Sequence, residues 1–151
     1  MSKTTVLFVC SDNALLGPLA EAYFNSKGRE LVRAFSAGLR AAEHVHPAVS
    51  KILSGHGIET EGLMPKSLDV FLMPLAPVPD RVISLHEMPD ARLANHWGTD
   101  TALETWQIAG ATPLSQTYVA ATEYFQRICN QIDRALDPDL PSGRTPWHNA
   151  A

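Results

Sequence analysis

The chain has 151 residues, of which 45% are hydrophobic and 19% charged, and its formal net charge is −4. This length and composition predict one globular domain and exclude a chain that is disordered throughout. The acidic balance argues against nucleic acid as a partner, and no apolar run has the length that spans a membrane. Two cysteines, Cys10 and Cys129, cannot form a disulfide framework, which favours a reducing, cytoplasmic setting.

The first predicted element is a buried strand that leads through a short loop into a helix. Val6–Val9 is an apolar run typical of a strand covered on both faces, and Gly17–Pro18 suits the first turn of a helix. Cys10 therefore stands at the strand's carboxyl end, where helix N–H groups and the helix dipole favour an anion and should lower the pKa of the thiol. The candidate anion-binding residues after Cys10 are Ser11, Asp12, Asn13, Ala14, Leu15, Leu16 and Gly17.

From this loop to residue 110 the chain shows alternating helix and strand signals. The predicted elements are a helix over Gly17–Lys27 with Gly28 as a left-handed cap, a strand over Leu31–Phe35, a helix over Pro47–Ser54 and a strand over Arg81–Leu85. A fourth strand is expected around Thr105–Ile108, with His96–Gly98 as the alternative. Prolines at 74, 77 and 79 exclude a helix from the connection before the third strand.

The clearest helical pattern covers Ser115–Leu136. Its predicted apolar face carries Tyr118, Thr122, Phe125, Cys129, Ile132 and Leu136 at steps of four and three. Cys129 is therefore expected to be a core residue rather than a second reactive thiol. The domain is predicted to cover residues 1–136, and the polar, Pro-rich residues 137–151 are predicted to form an irregular tail.

Several motifs give the chain a family resemblance. They are Cys10, Asn13, Pro18, Ala20, Glu21 and Ala22 around the first loop, Ser36–Gly38 after the second strand, and Pro65–Leu68. Over Thr4–Leu136 the chain resembles the low-molecular-weight protein tyrosine phosphatases and the related thioredoxin-coupled arsenate reductases. The resemblance implies a phosphotyrosine phosphatase I-like α/β fold, a three-layer sandwich whose four-stranded parallel sheet, of order 2-1-3-4, is flanked by helices. It further implies that Cys10 is the nucleophile, that the loop binds phosphate, sulfate or another oxyanion, and that Asn13 shapes this loop.

Three residues of the loop depart from the family pattern. Leu16 and Gly17 occupy the places where the family carries an Arg and a Ser, so the bidentate clamp on the oxyanion and a hydroxyl near the sulfur are missing. Asp12 introduces a carboxylate, which repels a dianion unless it turns outward or is protonated. The loop thus keeps its sulfur and loses the charge that stabilises a bound phosphate.

The remaining parts of the family's chemistry are also altered. The preferred alignment puts Gly110–Ala111 where the family has its Asp-Pro acid, and neither residue can give a proton. A second alignment makes Asp100 the acid, although Thr101 then replaces the Pro. His86 stands where reductases of this type place a redox Cys, so a disulfide relay is not expected.

These departures lead to two functional hypotheses. The first is a catalytically impaired or non-catalytic protein that binds an anion or a partner. The second is an active cysteine-dependent phosphatase, or another oxyanion-processing enzyme, with a relocated cation. Arg40 is the best candidate for that cation, and Arg33 and Lys66 are weaker ones.

The histidines are the other candidate ligands in the sequence. The histidines His44, His46, His56 and His86 are interpreted as surface or capping residues, because no Cys or carboxylate stands at ligand spacing, and neither a metal nor another cofactor is expected. A protein partner or a second copy of the chain remains open. Its sign would be an exposed apolar patch around Leu15, Leu16 and Leu39.

Overall fold

The computed structural model describes residues 3–87, 90–109 and 115–137. In chain order the elements are β1 (Thr4–Cys10), α1 (Leu16–Gly28), β2 (Val32–Gly38), α2 (Pro47–Gly55), a 3-10 helical turn (Leu68–Leu72), β3 (Arg81–Ser84), α3 (Ala91–Asn95), β4 (Ala102–Thr105) and α4 (Tyr118–Leu136). The four strands are parallel and their order is β2-β1-β3-β4, which confirms the predicted sheet. Within the described ranges, no helix combines the length and apolarity needed to cross a membrane.

The two faces of the sheet are covered separately, because the side chains of β1 alternate between them. Val6 and Phe8 join the larger cluster, to which α1, α2 and α4 contribute. The Phe8 ring lies 5.7 Å from that of Phe24 and 5.6 Å from that of Trp106. On the other face a smaller cluster contains Leu7, Val9, Ala37, Leu68, Phe71, Val82 and Leu93. The predicted three-layer arrangement is therefore confirmed, and the carboxyl end of β1 lies in its middle.

The fourth strand lies earlier than predicted. It covers Ala102–Thr105, so both predicted positions, Thr105–Ile108 and His96–Gly98, are wrong apart from the shared Thr105. This edge strand is largely exposed and is held by a nearly buried ion pair, in which Arg81 Nη1 donates to Glu104 Oε2 at 2.7 Å. The apolar residues that suggested the strand come just after it, since Trp106 and Ile108 are buried in the core.

The end of α1 differs from the expected glycine cap. Gly28 is the last helical residue, and Arg29 has a positive φ of 32° while its N–H donates to Asn25 O at 3.3 Å. Gly28 is required for a different reason, because a Cβ at this position would overlap Val32 Cγ2. The glycine thus permits close packing of α1 on β2.

The last helix begins later than predicted but contains the expected core. α4 starts at Tyr118 because Thr117 caps it, its Oγ1 accepting from Ala120 N–H at 3.1 Å. Tyr118 is 51% exposed and Thr122 is also exposed, so these two residues of the predicted face lie outside the buried one. That face carries Ala121, Phe125, Ile128, Cys129 and Ile132. The expectation that Cys129 is a core residue is confirmed.

The packing at Gly28 predicts an unusual response to an alanine substitution. Gly28→Ala should destabilise the protein by about 1–3 kcal/mol, because the new methyl group must displace Val32. Gly55→Ala is the matched control at the end of α2, where nothing lies within 4 Å of the added Cβ, and it should be neutral or slightly stabilising. Urea denaturation measures both, and equal stabilities of the two variants would contradict the packing argument. Adding Val32→Ala to Gly28→Ala should recover part of the loss.

Candidate functional site

The Cys loop, defined here as Cys10–Gly17, is held by the second loop, Leu39–His46, which follows β2. Backbone N–H groups of the second loop donate to four carbonyl oxygens of the Cys loop, namely Leu39 to Cys10 at 3.1 Å, Arg40 to Ser11 at 2.8 Å, Ala42 to Asp12 at 2.8 Å and His46 to Ala14 at 2.8 Å. With these carbonyls held by the second loop, the N–H groups of Gly17, Asn13 and Asp12 lie close enough to Cys10 Sγ to lower the pKa of its thiol. Backbone donors thus converge on the sulfur in the manner of an anion-binding nest.

Asn13 sets the shape of the Cys loop. Its φ is 55°, in the left-handed region that Asn tolerates better than most residues. Its Nδ2 donates to Lys66 O at 3.4 Å, whereas its buried Oδ1 has no hydrogen-bond partner in the described part of the chain. Gly38 makes room for this turn, because a Cβ there would lie 2.8 Å from Asn13 N.

Cys10 is buried, with 1% of its surface exposed. Burial raises the pKa of its thiol from 9.0 to about 12, and the charge of Asp12 acts in the same direction. The N–H groups of Gly17, Asn13 and Asp12 lower the pKa but do not compensate for the loss of water. The expectation that the helix N-terminus favours a thiolate is therefore wrong for this conformation, and Cys10 is protonated near neutral pH.

Leu16 and Gly17 are the two loop residues that are predicted from the sequence to replace a family Arg and Ser. Leu16 is fully buried and belongs to the same apolar cluster as Cys10 and Leu19. A Cβ at Gly17 would lie 2.5 Å from Asn13 Oδ1 and 3.2 Å from Cys10 Sγ, so the loop has no space for a larger residue without a shift of Asn13. Leu15 and Leu16 are buried and Leu39 is half-buried, so these three residues do not form the exposed patch expected to mark a partner surface.

The carboxylate of Asp12 turns back onto the loop. Its Oδ1 accepts a hydrogen bond from Ala14 N–H at 3.0 Å, and the side chain is half-buried. One donor that could serve a bound anion is therefore used by the protein's own carboxylate. The negative charge also remains beside Cys10, where it opposes a second negative charge.

The three cations considered as replacements differ in their surroundings. Lys66 pairs with Glu21, Nζ to Oε1 at 3.4 Å, and Glu21 Oε1 also accepts from Ser36 Oγ at 2.7 Å. Arg33 is exposed and lies over the Phe35 ring, 5.5 Å from its centroid. Arg40 is exposed beside Ser11, and its guanidinium makes no ion pair with the residues that the structure describes.

The histidines are separated by the fold. His46 caps α2, its Nδ1 accepting from Ala48 N–H at 3.0 Å while Nε2 lies 3.0 Å from Gln116 O. His56 contacts Ile52 O through Nδ1 at 2.9 Å, and His44 is exposed on the second loop. Across the described ranges, no group of three or more His, Cys, Asp or Glu side chains could hold a metal ion.

One contact at the Cys loop was not predicted. Ser11 Oγ lies 3.0 Å from His86 Nε2. Ser11 follows β1 and His86 follows β3, two neighbouring parallel strands whose carboxyl ends meet at the same sheet edge. That adjacency was the signal in the sequence that could have linked them.

Asp100, the candidate acid, is not brought to Cys10. Asp100 precedes β4, so it lies near the amino edge of the parallel sheet, whereas Cys10 ends β1 at the opposite edge. At about 3.3 Å per strand residue the edges are roughly 15 Å apart, which excludes Asp100 as a proton donor to a group on Cys10. Gly110–Ala111, the preferred position, lies outside the described residues.

Comparisons with known proteins agree with this fold. The family model of the low molecular weight phosphotyrosine protein phosphatases matches residues 5–138. No curated protein sequence matched the chain. Among solved structures, a thioredoxin-dependent arsenate reductase of Corynebacterium glutamicum is similar, with 24% identity and a TM-score of 0.67 over 87% of this chain; the chain spans 59% of that protein.

Two further structures show the same likeness. A low molecular weight protein tyrosine phosphatase from T. tengcongensis is 22% identical with a TM-score of 0.69, covering 87% of this chain and 96% of its own. An arsenate reductase in the phosphate binding state is 22% identical with a TM-score of 0.67, covering 86% and 94%. The sheet, the Cys loop and the following helix define an α/β protein of the cysteine phosphatase type. The chain belongs to the low molecular weight phosphotyrosine protein phosphatase family.

The burial of Cys10 predicts a measurable pH dependence of stability. Below pH 9 the thiol is protonated in both states, so its contribution is fully present. Between pH 9 and about 12 the unfolded chain ionises first, because the folded pKa is raised to about 12, and stability falls as pH rises. The difference in unfolding free energy between the wild type and Cys10→Ser should therefore shrink above pH 9. Both are best measured by urea denaturation in a Cys129→Ser background, since burial also raises the pKa of Cys129, to about 11.

The same thiol should react slowly with iodoacetamide at pH 7, because the thiolate is the reactive form. Rapid alkylation of Cys10 in the folded protein would show that the thiol is ionised. A stability difference that does not vary with pH would show that the pKa of Cys10 is not raised by folding.

Proposed function

We propose that this chain does not hydrolyse phosphate monoesters or reduce arsenate through Cys10, and that it acts as a weak oxyanion-binding member of its family. The observation that carries the proposal is the burial of Cys10 and Leu16 in one apolar cluster. A protonated, water-excluded sulfur is a poor nucleophile.

The chemistry of monoester cleavage supports the loss of activity. The reaction needs a thiolate, charged donors for the equatorial oxygens and an acid for the leaving oxygen. Here Leu16 offers no donor, and Asp100 lies at the opposite sheet edge. Removing one preorganised donor already lowers rates about a hundred- to a thousandfold, and a charged bidentate clamp contributes at least as much. Because several of these catalytic groups are missing together, one replacement side chain would not restore the rate.

The backbone of the loop supports retained, weak anion binding. The N–H groups of Asp12, Asn13 and Gly17 converge at the N-terminus of α1, where the helix dipole favours negative charge. A structurally similar arsenate reductase is described in a phosphate binding state. The carboxylate of Asp12 and the missing guanidinium both reduce the affinity, so we expect binding only at high phosphate concentration.

A second candidate function is hydrolysis with Arg40 as a relocated cation. It is favoured by the position of Arg40, whose N–H donates to Ser11 O at 2.8 Å and whose exposed side chain can turn toward the loop mouth. Arg40 would supply a positive charge for the phosphate, but the Cys10 sulfur would still be buried. Binding of a protein partner or of a second copy of the chain stays a prediction. The apolar residues that would have supported it are not exposed.

The proposal predicts no phosphatase turnover that depends on Cys10. Purified protein is assayed on p-nitrophenyl phosphate, and separately on arsenate with thioredoxin, beside an active family member. The wild type and Cys10→Ser should give the same background rate in both assays. A wild-type rate within about tenfold of the active relative, abolished by Cys10→Ser, would overturn the proposal; if Arg40→Gln abolished it too, the relocated cation would be supported.

Removing the charge of Asp12 should strengthen phosphate binding. Asp12→Asn keeps an oxygen that can accept from Ala14 N–H but removes one negative charge a few ångströms from the bound anion. At an effective dielectric of about 20 such a charge opposes binding by more than about 1.4 kcal/mol, so affinity should rise at least about tenfold. Isothermal titration calorimetry with inorganic phosphate measures this. Asp100→Asn removes the same charge at the far sheet edge and should leave the affinity unchanged, whereas equal effects would indicate a general charge effect.

A further inference from the structure

The mouth of the Cys loop contains a hydroxyl and an imidazole in direct contact. Ser11 Oγ lies 3.0 Å from His86 Nε2. Ser11 is exposed, whereas His86 is 7% exposed and lies directly beyond β3. An accessible hydroxyl bonded to a nearly buried imidazole is the arrangement in which a base can activate a nucleophile.

The orientation of His86 is set by the backbone on both sides. Its Nδ1 lies 3.3 Å from Glu87 O, and a carbonyl oxygen can only accept, so the proton is assigned to Nδ1. Nε2 then carries a lone pair and accepts from the Ser11 hydroxyl. The preceding residue, Leu85, is fixed to the sheet, its N–H donating to Val9 O at 2.9 Å. The imidazole is therefore held in the tautomer that a general base requires.

Ser11 is equally well positioned. Its carbonyl accepts from Arg40 N–H at 2.8 Å, which anchors its backbone to the second loop. The adjacent Cys10 sulfur is buried and protonated, so of these two neighbouring residues the accessible nucleophile is the hydroxyl. Helix α1 begins at Leu16, and the positive end of its dipole faces this loop, where it favours a developing negative charge.

We propose that Ser11 and His86 form a nucleophile and general base pair that cleaves small, uncharged carboxylic esters. The neighbouring Asp12 carboxylate favours a neutral substrate over a phosphate dianion. In the first step Ser11 Oγ forms a bond to the acyl carbon while its proton passes to His86 Nε2. The alcohol leaves with that proton as the acyl–oxygen bond breaks. Water then attacks the acyl-serine, gives one proton to Nε2, and releases the acid as Ser11 regains its hydrogen.

The test follows the acyl group on the intact protein. Wild-type protein is treated with p-nitrophenyl acetate, quenched in acid and digested, and mass spectrometry locates the acetyl group. Acetylation of the Ser11 hydroxyl is expected, together with steady release of p-nitrophenolate. Ser11→Ala should abolish both, and His86→Gln, which keeps a polar side chain of similar length without a base, should slow acetylation about a hundredfold.

Matched variants separate this site from general surface reactivity. Ser54 lies in the last turn of α2, His96 directly follows α3, and both are exposed, so Ser54→Ala and His96→Gln should leave the rates unchanged. Melting curves check that Ser11→Ala and His86→Gln remain folded. Absence of acetyl on Ser11 in the wild type overturns the pair whatever the variants do, as does unchanged acetylation in folded His86→Gln. Phosphate release that depends on Cys10 would instead contradict the loss of thiol chemistry and leave the Ser11 result standing.

Discussion

The burial of the Cys10 thiol is the constraint on which the rest of the site depends. The sulfur receives backbone N–H groups and stands before a helix N-terminus, both of which favour a thiolate, yet burial raises its pKa to about 12. Leu16 contributes to this balance, because its buried side chain belongs to the same apolar cluster as Cys10 and brings no charge to the sulfur. The effect of desolvation on the pKa therefore outweighs that of the backbone N–H groups. Cys10 behaves as a small apolar core residue, although its loop has the backbone shape of an anion-binding site.

The shape of that loop does not depend on the lost side chains. Its carbonyls are held by backbone donors of the second loop, and its tight turn needs only a left-handed Asn13 and the space that Gly38 leaves. None of these requirements involves an Arg or a Ser. A family member can consequently lack the loop Arg and still form the same loop, since the residues that fix the backbone differ from those that carry out catalysis.

The sequence predicted the parts of the fold that are encoded locally. β1, α2 and Cys129 as a core residue followed from apolar patterns, whereas the order of the sheet followed from the family resemblance. The fourth strand was misplaced because an exposed edge strand lacks an apolar signal, and its position is decided by pairing with β3. The state of Cys10 and the contact between Ser11 and His86 could not be predicted, because burial and contacts across 75 residues are properties of the packed chain.

The substitutions in the Cys loop all change the electrostatics in one direction. Relative to the expected family pattern, Leu16 removes a positive charge, Asp12 adds a negative one and Gly17 removes a hydroxyl. Asn13 Oδ1, beside Gly17, has no hydrogen-bond partner among the described residues. A dianion in this loop would face a carboxylate without a counterion, at a cost that the backbone dipoles alone offset only in part. A neutral sulfur meets no such cost, so protonation of Cys10 and weak binding of a phosphate dianion are two consequences of one charge balance. The same balance permits a neutral carbonyl compound at the loop mouth, where Ser11 is the residue that remains in contact with water.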